Sequence, residues 1–206
     1  MSIQKPKIPV LAGLDIGTTK VTLVIGLVQF NEKSEPYIEV VGVGTAPNAG
    51  VRQGVVVNIE ATTESIRKAR EEAELMAGYQ VQDVWVGVSG THIRSFDSKG
   101  MVAIKNKEVG PQDIERVIEA AKAVAVPADR SVLHVLPREY KVDGQDGILD
   151  PIGMSGVRLE ANVHIVTAAQ TAMTNVVKCT EKAGLRIAGF VLESLAASMS
   201  RSEDVV

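Results

Sequence analysis

Five residues that can handle a phosphate group fall close together: Asp15, Gly17, Thr18, Thr19 and Lys20, in the segment GLDIGTTK that begins at Gly13. An apolar run leads into Asp15, so a strand would carry its carboxylate out to a turn. Such a carboxylate can hold Mg²⁺ through waters, because Mg²⁺ keeps most of its hydration and uses few protein ligands. Gly17 lets the backbone turn sharply and approach a ligand closely. Backbone N–H groups and the two threonine hydroxyls can then face phosphate oxygens, since tight turns of this kind form anion-binding concavities. Lys20 adds a point charge. The candidate binding residues are therefore Gly13, Asp15, Gly17, Thr18, Thr19 and Lys20, with Asp15 as the metal residue. No G-x-x-x-x-G-K-[ST] and no G-x-G-x-x-G after a strand is present, so neither a Walker loop nor a dinucleotide fingerprint is indicated. The same residues would also serve a plain hairpin with a glycine turn and a solvated lysine.

Other reactive residue types are less organised. His92, His134 and His164 lie far apart and show no short metal-ligand spacing. Cys179 is the only cysteine, which excludes an intrachain disulfide and suits a reducing, cytoplasmic setting. It falls on an apolar helical face and reads as inert core. Ser89 in GVSGTH lacks the flanking glycines of a nucleophile elbow.

The composition sets the frame for these groups. At 206 residues the chain can bury a sizeable core. With 45% hydrophobic but only 3% aromatic residues, that core must be aliphatic, which favours a β-branched sheet covered by helices. A net charge of -3, dispersed Lys and Arg, and no interleaved aromatics argue against nucleic acid as a partner. MSIQKPKIPV lacks the apolar run and cleavage site of a signal peptide, and no stretch is apolar for long enough to span a membrane.

The elements that must position the site follow from periodicity. PVLAGLDIGTTKVTLVIGLV reads as two strands joined by a turn, and YIEVVGVGTA as a third. PNAGVRQGVVVN reads as a glycine-rich loop. Asn58 is a candidate N-cap for a helix with Ile66, Ala69, Ala73 and Met76 on one face, ended by Gly78. QDVWVGVSG is the next strand. Three hairpin-linked strands followed by a crossover helix open an RNase H-like mixed sheet rather than a Rossmann alternation. The middle then changes style. THIRSFDSKGMVAIKN suggests a short hairpin around Gly100. GPQDIERVIEAAKAVAV is a helix with Ile114, Val117, Ile118, Ala121 and Val124 on one face. SVLHVLPREYKVDG is a strand interrupted by Pro137, QDGILDPIGMSG a loop, and VRLEANVHIVTAA an alternating strand. TAMTNVVKCTEKAGL is helical up to Gly184, RIAGFVLE is a buried strand, SLAASMSRS starts a helix, and EDVV begins a strand or loop.

The pattern D-[IL]-G-[TS]-[TS]-K on a first strand resembles the first phosphate loop of the actin, Hsp70 and sugar-kinase ATPases. Two longer stretches, AGVRQGVVVNIEATTESIRKAREEAELMAG with VWVGVSGTHI, and VLHVLPREYKVDGQDGILDPIGMSGVRLEANVHIVTA, resemble the bacterial actin-like cell-division family FtsA over nearly the whole chain. The resemblance implies an actin/Hsp70-type RNase H-like lobe, subdomain 1A, from residues 1–83 and 168–206. Residues 84–167 would be an inserted α+β subdomain of the SHS2 type, called 1C. ESLAAS resembles the E-P-x-A-A-A region of Hsp70-like ATPases, which would make Glu193 the residue that orients water or hydrated Mg²⁺; a carboxylate favoured by the helix dipole explains it equally well.

The resemblance further implies ATP and Mg²⁺ as ligands and FtsZ as partner through a second lobe. It implies head-to-tail self-assembly, recruitment of later division proteins through 84–167, and attachment to the inner face of the cell membrane through a C-terminal helix. The second lobe and that helix would lie beyond Val206, so the chain is expected to bind ATP weakly or not at all by itself and not to hydrolyse it. Two other readings share the superfold. A sugar-kinase-like phosphotransferase would need a catalytic Asp, for which the middle segment offers Asp143, Asp146 and Asp150. A PilM-type pilus-assembly relative would carry both lobe and insert.

Overall fold

The computed structural model describes residues 9–123 and 126–201, with the side chains of Ser200 and Arg201 left aside. The expectations for the start of MSIQKPKIPV, for Val124 and for EDVV lie outside the described residues. The chain divides into two units, one made of residues up to His92 and from Thr171 onward, the other of Ile93–Gln170.

The first unit is built on a five-stranded sheet. β1 (Val10–Ile16), β2 (Lys20–Phe30) and β3 (Pro36–Pro47) form an antiparallel meander. β6 (Asp83–Val88) then pairs parallel with β1, and β11 (Arg186–Leu192) pairs parallel with β6, giving the order β11-β6-β1-β2-β3. This is the RNase H-like arrangement. Ala12, Leu14, Val21, Leu23 and Ile25 are buried at alternate positions, as strands with one covered face require. Between β3 and α1 a two-residue turn joins the short strands β4 (Val51–Arg52) and β5 (Val55–Val56), in the stretch read as loop from sequence.

Helix α1 (Ile59–Ala77) covers β2 and β3. Asn58 caps it, its side chain accepting from the Ala61 N–H, and Gly78 ends it in the left-handed region. The two glycines inside β3 are there for this packing. A methyl on Gly44 would lie 1.9 Å from the Ala69 carbonyl and one on Gly42 2.5 Å from that of Ala73. Only bare backbone admits the helix so close. Met76, expected on the inner face, is instead 63% exposed, and its sulfur accepts the Val43 N–H at 3.4 Å. Glu72 takes the Thr45 N–H in the same way, so the open edge of β3 is occupied by side chains of α1. Helix α3 (Gln170–Lys182) lies beside α1, and Arg70 ties the two ends together by donating to the Ala183, Gly184 and Val81 carbonyls. Cys179 is buried in this layer, and burial pushes its thiol up. β11, read from sequence as a buried strand, is a half-buried sheet edge. Helix α4 (Glu193–Arg201) follows it.

The second unit is a four-stranded antiparallel sheet, order β7-β10-β8-β9, with helix α2 (Pro111–Ala123) on one face. Its strands are β7 (Ile93–Ala103), β8 (Arg130–Val142), β9 (Gln145–Ile148) and β10 (Arg158–Ala169). Val117 and Ala121 of α2 pack with Leu159, Ala161, Val163 and Ile165 of β10. Three readings of this region are corrected. β7 runs unbroken through Gly100, which is no hairpin turn: a methyl there would lie 2.1 Å from the Val117 carbonyl, so Gly100 admits α2 just as Gly44 admits α1. β8 continues past Pro137, because the register slips at that point and leaves Arg138 as the extra residue of a bulge, the place where a strand tolerates proline. The bulge sets Arg138 beside Asp97, to which it donates at 3.2 Å, and Asp97 also pairs with His164 at 2.6 Å. The stretch QDGILDPIGMSG contains β9, paired with β8 across a turn at Asp143 and Gly144, both at positive φ.

The expected insert boundaries of 84 and 167 fall inside elements. β6 is a central strand of the first sheet, and β10 runs to Ala169, so the division lies after His92 and Gln170.

Candidate functional site

Three strands of the first unit, β1, β6 and β11, run parallel and end side by side. Ligands in open α/β sheets bind outside the carboxyl ends of parallel strands, where side chains and free amides converge. Asp15 stands at the end of β1 and Glu193 directly after β11, with β6 between them. Gly87 of β6 is the register partner of both Asp15 and Val191. The Glu193 side chain lies over it, since a methyl on Gly87 would be in ordinary contact with the Glu193 Cγ at 3.4 Å. Across Gly87 the Glu193 carboxyl comes near enough to Asp15 to act on its protonation.

Two carboxylates this close repel unless a proton or a cation lies between them. Burial and then Glu193 raise the Asp15 pKa from 3.8 to about 6, against a smaller downward pull from Lys20. A hydrated divalent cation would relieve the same strain, so the pair has the donor chemistry to hold one such as Mg²⁺ through its waters. Asp15 and Glu193 are the residues that would hold it through waters.

The turn after β1 is closed by the Gly17 N–H donating to the Lys20 carbonyl at 3.0 Å. A methyl on Gly17 would lie 2.9 Å from that carbonyl, so the glycine permits the tight turn. Thr18, Thr19 and Lys20 are exposed on it. Gly13 is exposed two residues before Asp15 on the same strand face, and nothing lies within 4 Å of where its Cβ would be. The fold thus brings Asp15, Gly17, Thr18, Thr19, Lys20 and Glu193 to one end of one sheet, with Gly13 midway along β1.

Sequence reasoning missed two members. Gly87 was read only as part of a strand. Asn48, in the stretch read as loop, is 8% exposed and braces the turn: its Nδ2 donates to the Gly17 carbonyl at 2.8 Å and its backbone N–H to the Thr19 carbonyl at 2.9 Å. An Asn two residues before a Gly, directly after a strand, was the available signal. Ser89 and His92 lie beyond β6, and Asp143 spends its carboxylate on the N–H groups of Val157 and Arg158.

Residues 90–167 match the model of the SHS2 domain inserted in FtsA. The cell division protein FtsA of Pseudomonas aeruginosa is 50% identical over 97% of the chain, and that of Neisseria meningitidis 48% identical over 91%. The chain belongs to the FtsA family. It spans 46% and 44% of the length of these two FtsA proteins, about half of each. Among solved structures, the PilM–PilN type IV pilus biogenesis complex superposes with a TM-score of 0.59 at 18% identity, covering 92% of the chain and 49% of its counterpart. That likeness shows a shared fold, an actin-like lobe carrying an SHS2 insert. The FtsA match to 90–167 ends within a few residues of the second unit at either side. Among the described residues of this FtsA-family chain, no helix is long and apolar enough to cross a membrane.

Proposed function

We propose that the first unit contributes one side of a Mg²⁺–ATP site in a cell-division cytoskeletal adaptor. The carrying observation is the Asp15–Glu193 carboxyl pair beside the braced Gly17–Lys20 turn, at the carboxyl ends of three parallel strands. Mg²⁺ held there would neutralise phosphate charge. Asp15 and Glu193 orient its waters, Lys20 supplies a charge-assisted contact to a phosphate, and the hydroxyls of Thr18 and Thr19 donate to phosphate oxygens. ATP acts mainly as a structural ligand that favours the assembly-competent state, with at most weak hydrolysis.

In this reading the protein assembles head to tail, binds FtsZ and lies against the inner face of the cell membrane. The 1A lobe corresponds to the first unit and the 1C subdomain, which recruits later division proteins, to the second. Identities of 48–50% to FtsA proteins against 18% to the PilM complex favour division over pilus assembly. Of the three aspartates offered for a sugar-kinase reading, Asp143 is tied to backbone amides, Asp146 pairs with Lys141 and Asp150 accepts the Ile152 N–H.

The test is a chimera in which this chain replaces the matching half of the Pseudomonas aeruginosa FtsA in cells depleted of their own copy. Septal localisation and restored division are expected, and both should be lost with Asp15→Ala. Filamentous cells with a stably expressed, diffuse chimera would overturn the adaptor reading.

A further inference from the structure

We infer that Asn48 is the positioning residue of the phosphate-binding turn, holding its peptide groups so that the amides of Thr18 and Lys20 face an incoming anion. The inference rests on the nucleotide reading above and adds a residue outside the loop itself. In a trans peptide the carbonyl of one residue and the N–H of the next point in opposite directions. All described peptide bonds here are trans. Asn48 captures the Gly17 carbonyl with its side-chain amide and the Thr19 carbonyl with its backbone N–H. The N–H groups of Thr18 and Lys20 must therefore point away from Asn48, on the side of the turn where Thr18, Thr19 and Lys20 are exposed. An anion site made of backbone amides needs this orientation, since a carbonyl swung toward the anion would repel it.

Asn48 is itself held from behind. Its Oδ1 accepts the Gly50 N–H at 3.0 Å, and that bond fixes the amide orientation, with oxygen toward Gly50 and nitrogen toward Gly17. The Gly50 carbonyl accepts from Val57 and Asn58 at the start of α1. A methyl on Gly50 would lie 2.2 Å from the Thr62 hydroxyl, so the segment sits directly on the helix. Ser65 adds a bond to the Pro47 carbonyl at 2.8 Å. The first turns of α1 thus anchor residues 47–50, and through Asn48 they anchor the turn. Both the Oδ1 and the Nδ2 of Asn48 bond within the protein and the residue is buried, which fits a positioning role.

Asn48→Asp replaces the donor with an oxygen that repels the Gly17 carbonyl, while keeping an acceptor for Gly50. Asn48→Ser is the milder variant: it removes the reach to Gly17 and leaves the backbone bond to Thr19. A ¹⁵N-labelled protein of the full length of the FtsA relatives is titrated with magnesium pyrophosphate and with Mg·ATP, following amide shifts and the fitted dissociation constant, with spectral dispersion and melting temperature as checks on folding. Wild type should show its largest shifts at Thr18 and Lys20. Asn48→Asp should bind at least tenfold more weakly and Asn48→Ser several-fold more weakly, with dispersion retained in the serine variant. No wild-type response at Thr18–Lys20 would overturn the nucleotide reading and the inference with it. A wild-type response with unchanged affinity in a folded Asn48→Ser would overturn the inference alone.

Discussion

Replacing Asp15 with Asn is expected to make the chain more stable while removing its cation site. In the folded chain the Asp15 pKa stands at about 6 against 3.8 for the free side chain, chiefly through burial and then through Glu193. A raised folded-state pKa means that the folded chain binds this proton more tightly than the unfolded one. The contribution is therefore fully present below about pH 4, is lost as pH rises to about 6, and is absent at neutral pH. At full weight the shift corresponds to ~3 kcal/mol. Because Asp15 is only half-buried, solvent screening reduces this to about 1–2 kcal/mol. Asn fills the same space and can donate to Glu193, so it removes the repulsion without opening a cavity. Asp15→Asn should then gain about 1–2 kcal/mol at pH 7.5, a rise of roughly 3–6 °C in melting temperature, and little at pH 4. Millimolar Mg²⁺ should stabilise the wild type at pH 7.5 and leave the variant unchanged. Trp85, the only tryptophan, lies on β6 next to the site, so its fluorescence in urea reports the unfolding of the first unit. A variant no more stable than wild type at pH 7.5, or a gain equal at both pH values, would refute the electrostatic account of the pair.

The remaining expectations concern the loop, the packing and the division of the chain. Lys20→Ala, in a protein of the full length of the FtsA relatives, should weaken ATP binding by at least tenfold, about 1.4 kcal/mol, because a charge-assisted contact is lost; calorimetric titration measures it. Gly100→Ala should cost about 2–3 kcal/mol in the second unit by forcing α2 off its sheet, seen as a lowered urea midpoint, while Gly13→Ala, with open space around it, should stay within about 0.5 kcal/mol. Asn58→Ala should cost about 1 kcal/mol through the lost helix cap. Joining His92 to Thr171 by a short linker should leave a cooperatively melting first unit, since Ile93 and Ala168 are register partners and the two ends lie close. Removing 84–167 instead should abolish cooperative melting, because most of the central strand β6 goes with it.

Much of this organisation was legible in the residues. Alternation of apolar positions marks β1, β2 and β10, and Asn58 and Gly78 mark the ends of α1 by their capping chemistry. The Gly17–Lys20 turn stood out because a carboxylate, a glycine, two hydroxyls and an ammonium share one short segment. Glycine inside strands was harder to read, because one residue type serves two purposes. Gly100 looks like a turn by local preference but is a gap for a helix that arrives later in the chain, a tertiary reason that no local window contains. Pro137 likewise suggests a strand end until the bulge at Arg138 is seen to absorb it. β9 is too short for periodicity to show. Asn48 was missed because its partners lie some thirty residues earlier and form only when β3 returns alongside β2. Glu193 was reached by resemblance, and the structure supplies its physical reason: parallel pairing of β11 with β6 delivers it to Asp15.

The central claim, that the Asp15–Lys20 turn with Glu193 forms one side of a Mg²⁺–nucleotide site, is tested most directly by one titration. Mg·ATP affinity is measured by calorimetry on a protein of the full length of the FtsA relatives, for wild type and Asp15→Asn. The account predicts binding by wild type that requires Mg²⁺, and a loss of at least tenfold in the variant despite its greater stability. Equal affinity in the two proteins, or binding by wild type that persists undiminished when Mg²⁺ is chelated, would contradict it.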